Sequence, residues 1–186
     1  MLHLVLTLLL ALVLQTSLGA VTPHNTPKKS CYLSKYQFLV SHEMKAVLRM
    51  RDKFMVTKPL ADLNCTGNIF HREWNMTDLS VPDRVMVVKA ELNLTTTVLK
   101  FPDTSGFAKM RKQPLAFLTQ VQNDLQCWMD TKAPLHKPSE KVSRWLNKLQ
   151  NSGETKTNSC LEASAIRHIF EVLNDLRCVA FQKQYN

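Results

Sequence analysis

Glycine is scarce, with four residues among 186. That counts against a turn-rich β-sandwich or barrel and against glycine-loop nucleotide folds. Acidic side chains are outnumbered, 15 against 24 Lys plus Arg, for a net charge of +9. The longest apolar run, Leu4–Leu14, spans about eleven residues. A bilayer helix needs ~20, so no membrane span is expected. None of the five cysteines forms a C-x-x-C pair, which removes the zinc-ribbon and thioredoxin readings. There is no HExxH, GxSxG or P-loop pattern, and His42-Glu43-Met44-Lys45-Ala46 lacks the second histidine of a zinc protease. No residue set reads as catalytic or metal-binding, no cofactor is expected, and the protein is read as a non-enzyme. What the chain does have is 45% hydrophobic residues, too many for long-range disorder, in a length that fits one domain.

Residues 1–19 read as a cleaved signal peptide. The apolar run is followed by small residues Ser17 and Gly19 at the −3 and −1 positions of a cleavage site. Residues 20–186 form the expected single domain, with 20–30 (AVTPHNTPKKS) as a flexible N-terminal tail. The product is expected to be secreted and extracellular. There Cys31, Cys65, Cys127, Cys160 and Cys178 meet oxidising conditions. Five cysteines allow at most two internal bridges, and spacing leaves their choice open. Three sequons, at Asn64, Asn75 and Asn93, agree with that compartment as glycosylation sites.

The apolar pattern is helical. Ser41 caps a helix to about Met55, with Met44, Val47, Leu48, Arg51 and Met55 as one stripe. Residues 57–83 read as a long loop with room for a short helical turn. From Asp83 to Lys100, Val85, Val88, Leu92 and Leu99 line a helix, although Arg84–Val88 alone would suit a strand. Asn93 lies off that stripe. After a break at 101–106 comes a helix interrupted or kinked near Pro114, with Leu118, Val121 and Leu125 on its face. Ser139 caps a short helix, Glu140–Gln150, and residues 151–159 form a polar linker. In the last helix, Leu161 to about Phe181, Ile166, Ile169, Leu173, Leu176 and Ala180 are the apolar stripe. Arg167, Glu171, Asn174 and Cys178 lie opposite, with Phe170 at the border. The expectation is an all-α bundle of four main helices plus short ones, joined by long crossover loops.

The basic residues cluster at Lys28–Lys29, at Arg49, Arg51 and Lys53, at Lys109, Arg111 and Lys112, and between Lys132 and Lys148. Solvated helix faces are the simplest reading. The alternative is attraction to a sulfated polyanion such as heparan sulfate. No nucleic-acid module accompanies them, so no nucleic-acid partner is expected. The histidines read as surface or capping residues. Phe170 is either a core-edge ring or a partner anchor, and Arg51 either snorkels over the core edge or reaches a partner's carboxylate.

CLEASAIRHIFEVLNDLRCVA (Cys160–Ala180) resembles the last helix of the interferon lambda family, type III interferons within the interleukin-10-like class II cytokines. RMRDKF (Arg49–Phe54), AELNLTTTVLK (Ala90–Lys100), QPLAFLTQVQNDLQC (Gln113–Cys127) and RWLNKLQ (Arg144–Gln150) resemble its other helices, in order. The type I interferons share the bundle and are the nearest competitor. The resemblance implies a monomeric class II cytokine bundle that bridges an interferon lambda receptor chain and the interleukin-10 receptor beta chain. JAK–STAT signalling and antiviral gene expression would follow. By position it implies bridges Cys31–Cys127 and Cys65–Cys160, with Cys178 unpaired. It also implies receptor contacts at Met44, Leu48, Arg51, Leu63, Arg167 and Phe170. Leu48 stands where the family has a lysine, and Leu63 and Arg167 where it has aromatics, so a mammalian receptor is expected to bind poorly. The alternatives are a type I interferon or other interleukin-10-like cytokine and, from another class, a basic glycosaminoglycan-binding protein.

Overall fold

The computed structural model describes residues 31–39, 41–57, 65, 69–100 and 107–181. Residues 1–19, expected to be a signal peptide, residues 20–30, expected to be a tail, and Leu63 and Asn64 lie outside them. Five α-helices follow in order: α1 Ser41–Thr57, α2 Val81–Leu99, α3 Phe107–Lys132, α4 Glu140–Thr155 and α5 Asn158–Phe181. Two 3₁₀ turns, Leu33–Tyr36 and Met76–Asp78, complete the described secondary structure, and there is no strand among the described residues.

Helix α2 packs against α3, α4 and α5, which explains its ambiguous sequence. A helix surrounded by others needs apolar residues on several sides. Val85, Val87, Val88, Leu92, Val98 and Leu99 are all buried, and the resulting near-continuous β-branched run imitates a buried strand. Its start is fixed by Ser80, whose hydroxyl accepts a hydrogen bond from the Asp83 amide at 3.3 Å, and by Pro82 in the first turn. Helix α5 buries the expected stripe of Ile166, Ile169, Leu173, Leu176 and Ala180. At ~1.5–3 kcal/mol for each large apolar side chain removed from water, these two helices dominate the core.

Three expectations change. In α1 the core face is Val47, Met50 and Phe54, all fully buried. Met44, Leu48, Arg51 and Met55 lie one shoulder away, with Leu48 39% and Met55 38% exposed. Both series repeat at helical spacing, and the one carrying the larger apolar volume, Phe54 and Met50, turns inward. Helix α3 continues through Pro114 without interruption. The proline is buried, and packing there offsets the ~3 kcal/mol that an interior proline costs. Residues 151–159 are not a linker: α4 runs to Thr155 and α5 begins at Asn158. A Cβ added at Gly153 would stand 3.3 Å from Leu94 Cδ1, so α4 passes close to α2 just where its sequence turns polar.

Two disulfides join distant segments. Cys31 is bonded to Cys127 and Cys65 to Cys160, with Cα–Cα distances of 5.6 and 5.4 Å. These are the pairs that the family resemblance implies. Cys178 is free and exposed on α5. The first bridge holds the 3₁₀ turn against α3, helped by Asp124, which pairs with Lys35 at 2.6 Å and accepts a hydrogen bond from the Tyr36 hydroxyl.

Candidate receptor-binding surface

Helices α1 and α5 meet along one edge of the bundle, and two of the singled-out residues touch there. The Arg51 guanidinium carbon lies 4.7 Å from the centroid of the Phe170 ring. Arg51 also donates to Asp52 Oδ1 through Nε at 3.1 Å and Nη2 at 2.9 Å. Phe170 is half-buried and packs against the core. Met44, Leu48 and Arg51 share a stripe on α1 because they are spaced by four and three residues. Arg167, one turn before Phe170 on α5, is exposed and bonds back to the Ala163 carbonyl at 3.3 Å. The edge therefore presents an arginine–aromatic pair flanked by Leu48 and Met44 on one side and Arg167 on the other. Leu63 falls outside the described residues.

A buried polar cluster lies on another flank of α5. His168 is buried rather than at the surface. Its Nε2 is 3.1 Å from Glu91 Oε2 on α2, and its Nδ1 is 2.8 Å from Glu171 Oε2. Its ring stacks on Phe70 at 4.3 Å. Arg72 Nε lies 3.4 Å from Glu91 Oε1, and the same guanidinium bonds to Asp175. Burial pushes the Glu91 carboxyl up, against the pull of the His168 hydrogen bond and the Arg72 charge. The cluster ties residues 70–72 to α2 and to the flank of α5 that carries His168 and Asp175, across the core stripe from Phe170. A cleft of about 310 Å³ opens above it, lined by Phe70, Trp74, Glu171 and Asp175 among others.

The sequence reading missed both Glu91 and His168. The signal was there: each interrupts an apolar stripe on its own helix, Glu91 beside Leu92 and His168 between Ile166 and Ile169. Two buried polar residues on different helices are satisfied most simply by each other. His136 differs from expectation as well. It lies 2.9 Å from Asp83 Oδ1, which also accepts from the Ser139 amide at 3.3 Å, so it braces the connection between α3 and α4.

The basic residues do not all form solvated faces. Arg84 donates to the carbonyls of Leu79 and Thr77, each at 2.8 Å. Lys148 donates to the His71 carbonyl at 3.1 Å and Lys141 to that of Asp78 at 3.4 Å. Together they satisfy backbone acceptors of the 71–79 segment, which has little regular structure to do so. Arg111 pairs with Glu162 at 3.5 Å between α3 and α5. Lys45, Arg49 and Lys53 on α1 remain exposed.

Of the sequons, Asn75 and Asn93 are both exposed. Among the described residues no cluster of three His, Cys, Asp or Glu side chains could hold a metal, and no helix is long and apolar enough to cross a membrane.

The Interleukin-28A family model matches residues 28–182 of the chain. The chain is 51% identical to interferon lambda-3 of Gallus gallus, over 94% of each sequence. It is 33% identical to interferon lambda-2 of Mus musculus over 97% of each. With interferon lambda-1 of Homo sapiens it shares 28% identity over 92% of this chain and 88% of the relative.

Proposed function

Because the chain belongs to the interferon lambda family of cytokines, we propose that it is secreted after loss of residues 1–19 and acts as a monomer that bridges two class II cytokine receptor chains. These are an interferon lambda receptor chain and the interleukin-10 receptor beta chain, with JAK–STAT signalling and antiviral gene expression downstream. The α1–α5 edge, with Met44, Leu48, Arg51, Arg167 and Phe170, together with Leu63 farther along the sequence from α1, forms the contact with the lambda receptor chain. The observation that carries this reading is the Arg51–Phe170 pair: a cation over a partly buried aromatic ring, the two contributed by different helices. Arginines and aromatics on a rigid frame are the side chains from which interface hot spots are made. A cytokine performs no bond chemistry. Its work is to hold two receptors within reach of each other, which raises the effective concentration of their cytoplasmic kinases.

Recombinant protein added to cells of its own species should induce STAT phosphorylation that is lost when the lambda receptor chain is deleted. A response that survives this deletion and needs only type I interferon receptor chains overturns the reading. Heparan sulfate is an accessory partner in this scheme. Lys45, Arg49 and Lys53 stand exposed at four-residue spacing, with no ion pair among the described residues. Elution from heparin at salt no higher than expected for simple ion exchange would remove that part.

A further inference from the structure

Asn93 stands at the rim of a groove of about 620 Å³ between α2, α3 and α4. Met86 and Ala90 of α2, Met129 of α3, Ala133 just after that helix and Leu146 of α4 line it. All five are only partly buried, so this is apolar surface left open to solvent. Asn93 itself is exposed, and its Oδ1 accepts a hydrogen bond from Gln122 Nε2 on α3 at 3.3 Å. That bond uses the amide oxygen and leaves the nitrogen, the atom through which an N-linked sugar is attached, unused. The third residue of the sequon, Thr95, is fully buried, and its hydroxyl donates to the Glu91 carbonyl at 2.8 Å. A glycosyltransferase that reads this hydroxyl reaches it only before α2 has docked. At the Asn75 sequon, by contrast, Thr77 is exposed.

We propose that Asn93 carries an N-linked glycan, attached before α2 folds, whose inner sugars lie along the α2–α3–α4 groove and cover its methionine and leucine side chains. In the attachment, Asn93 Nδ2 bonds to the anomeric carbon as that carbon's bond to the diphosphate of a lipid-linked oligosaccharide breaks. The amide proton leaves and the lipid diphosphate departs. A pyranose ring offers C–H faces to an apolar floor and hydroxyls to a polar rim. The groove has both, with Lys89 and Asp130 beside its apolar lining. The glycan would lie over helices other than α1 and leave the α1–α5 edge bare. The proposal rests on passage of the chain through the secretory pathway.

The test uses the full chain expressed in cultured animal cells, with peptide mass spectrometry of the secreted product and peroxide footprinting of its methionines. The expected result is a glycopeptide containing Asn93. Oxidation of Met86 and Met129 should rise about threefold or more in Asn93→Gln, while Met55 on α1 reacts unchanged. Enzymatic release of the glycan from the folded wild-type protein should give the same rise, which keeps the test valid if the variant folds poorly. A glycan at Asn93 with no change at either methionine overturns the seating in the groove. Secreted protein glycosylated at Asn75 but bare at Asn93 overturns the modification while the secretory reading stands. Chain retained in the cytosol without any glycan overturns both.

Discussion

The guanidinium of Arg51 lies over the ring of Phe170, 4.7 Å from its centroid, and so joins the first helix to the last at the edge of the bundle. A cation–π contact of this kind is worth about 0.5–2 kcal/mol and orients both partners. Arg51→Ala and Phe170→Ala should each weaken binding of the lambda receptor chain about tenfold or more, or ~1.4 kcal/mol. The double variant should lose less than the sum, with a coupling of about 0.5–1 kcal/mol. Surface plasmon resonance gives the affinities and far-UV circular dichroism verifies that the helices persist. Unchanged affinity in both single variants would remove this edge from the interface.

Glu91 and Asp83 should drive stability in opposite directions with pH. Burial holds the Glu91 carboxyl above its ordinary 4.5. The folded chain therefore takes up that proton first, and the contribution of Glu91 to stability falls as pH rises between 4.5 and its folded value. Burial also pushes Asp83 upward, but hydrogen bonds from His136 and Ser139 outweigh it and hold the carboxyl below 3.8. Its contribution is present above 3.8 and is lost as pH falls toward the folded value. Urea denaturation across the acid range should show Glu91→Gln flattening the first slope and Asp83→Asn flattening the second. The Asp83 change keeps an Oδ1 acceptor for His136 and Ser139 but removes its charge, and should cost about 1 kcal/mol at neutral pH by weakening both bonds.

Gly153→Ala should stabilise the protein. The new methyl meets Leu94 Cδ1 at 3.3 Å, the far end of a flexible, half-buried side chain that has room to shift. The helix-propensity gain of up to about 1 kcal/mol exceeds the cost of a displacement of a few tenths of an ångström. A rise in Tm by differential scanning calorimetry is the expected result.

Removing the Cys65–Cys160 bridge by a double change to serine should be costly. It closes a separation of 95 residues, for which the chain-entropy argument gives an upper value of about 4–5 kcal/mol. Guanidinium unfolding of the variant should show a midpoint shifted far to low denaturant. A loss under about 1 kcal/mol would mean that the unfolded chain is already compact.

The sequence carried the helices better than their contacts. The stripe from Ile166 to Ala180 was legible because one face of α5 is apolar and the other is not. The stripe of α1 was displaced by one shoulder because Met44, Leu48 and Met55 are as apolar as the residues turned inward. Only the neighbouring helices decide between them, and no local pattern contains that information. The extent of α4 was underestimated for a related reason. Asn151-Ser152-Gly153 has the composition of a linker, yet tertiary packing against Leu94 carries the helix through it. Arg51 and Phe170 were singled out as separate candidates, and their mutual contact became visible only once α1 and α5 lay side by side. The Glu91–His168 pair, 77 residues apart in the chain, needed the same juxtaposition.

The two disulfides are interleaved: Cys65 falls inside the loop closed by Cys31–Cys127, and its partner Cys160 falls outside it. A backbone cut anywhere between residues 31 and 160 therefore leaves the chain as one covalently connected molecule, because at least one bridge always spans the break. A protease that nicks the chain between residues 31 and 160 severs the peptide without releasing a fragment, and the damage shows on a gel only after reduction. This redundancy is a form of durability that resides in connectivity rather than in folding free energy.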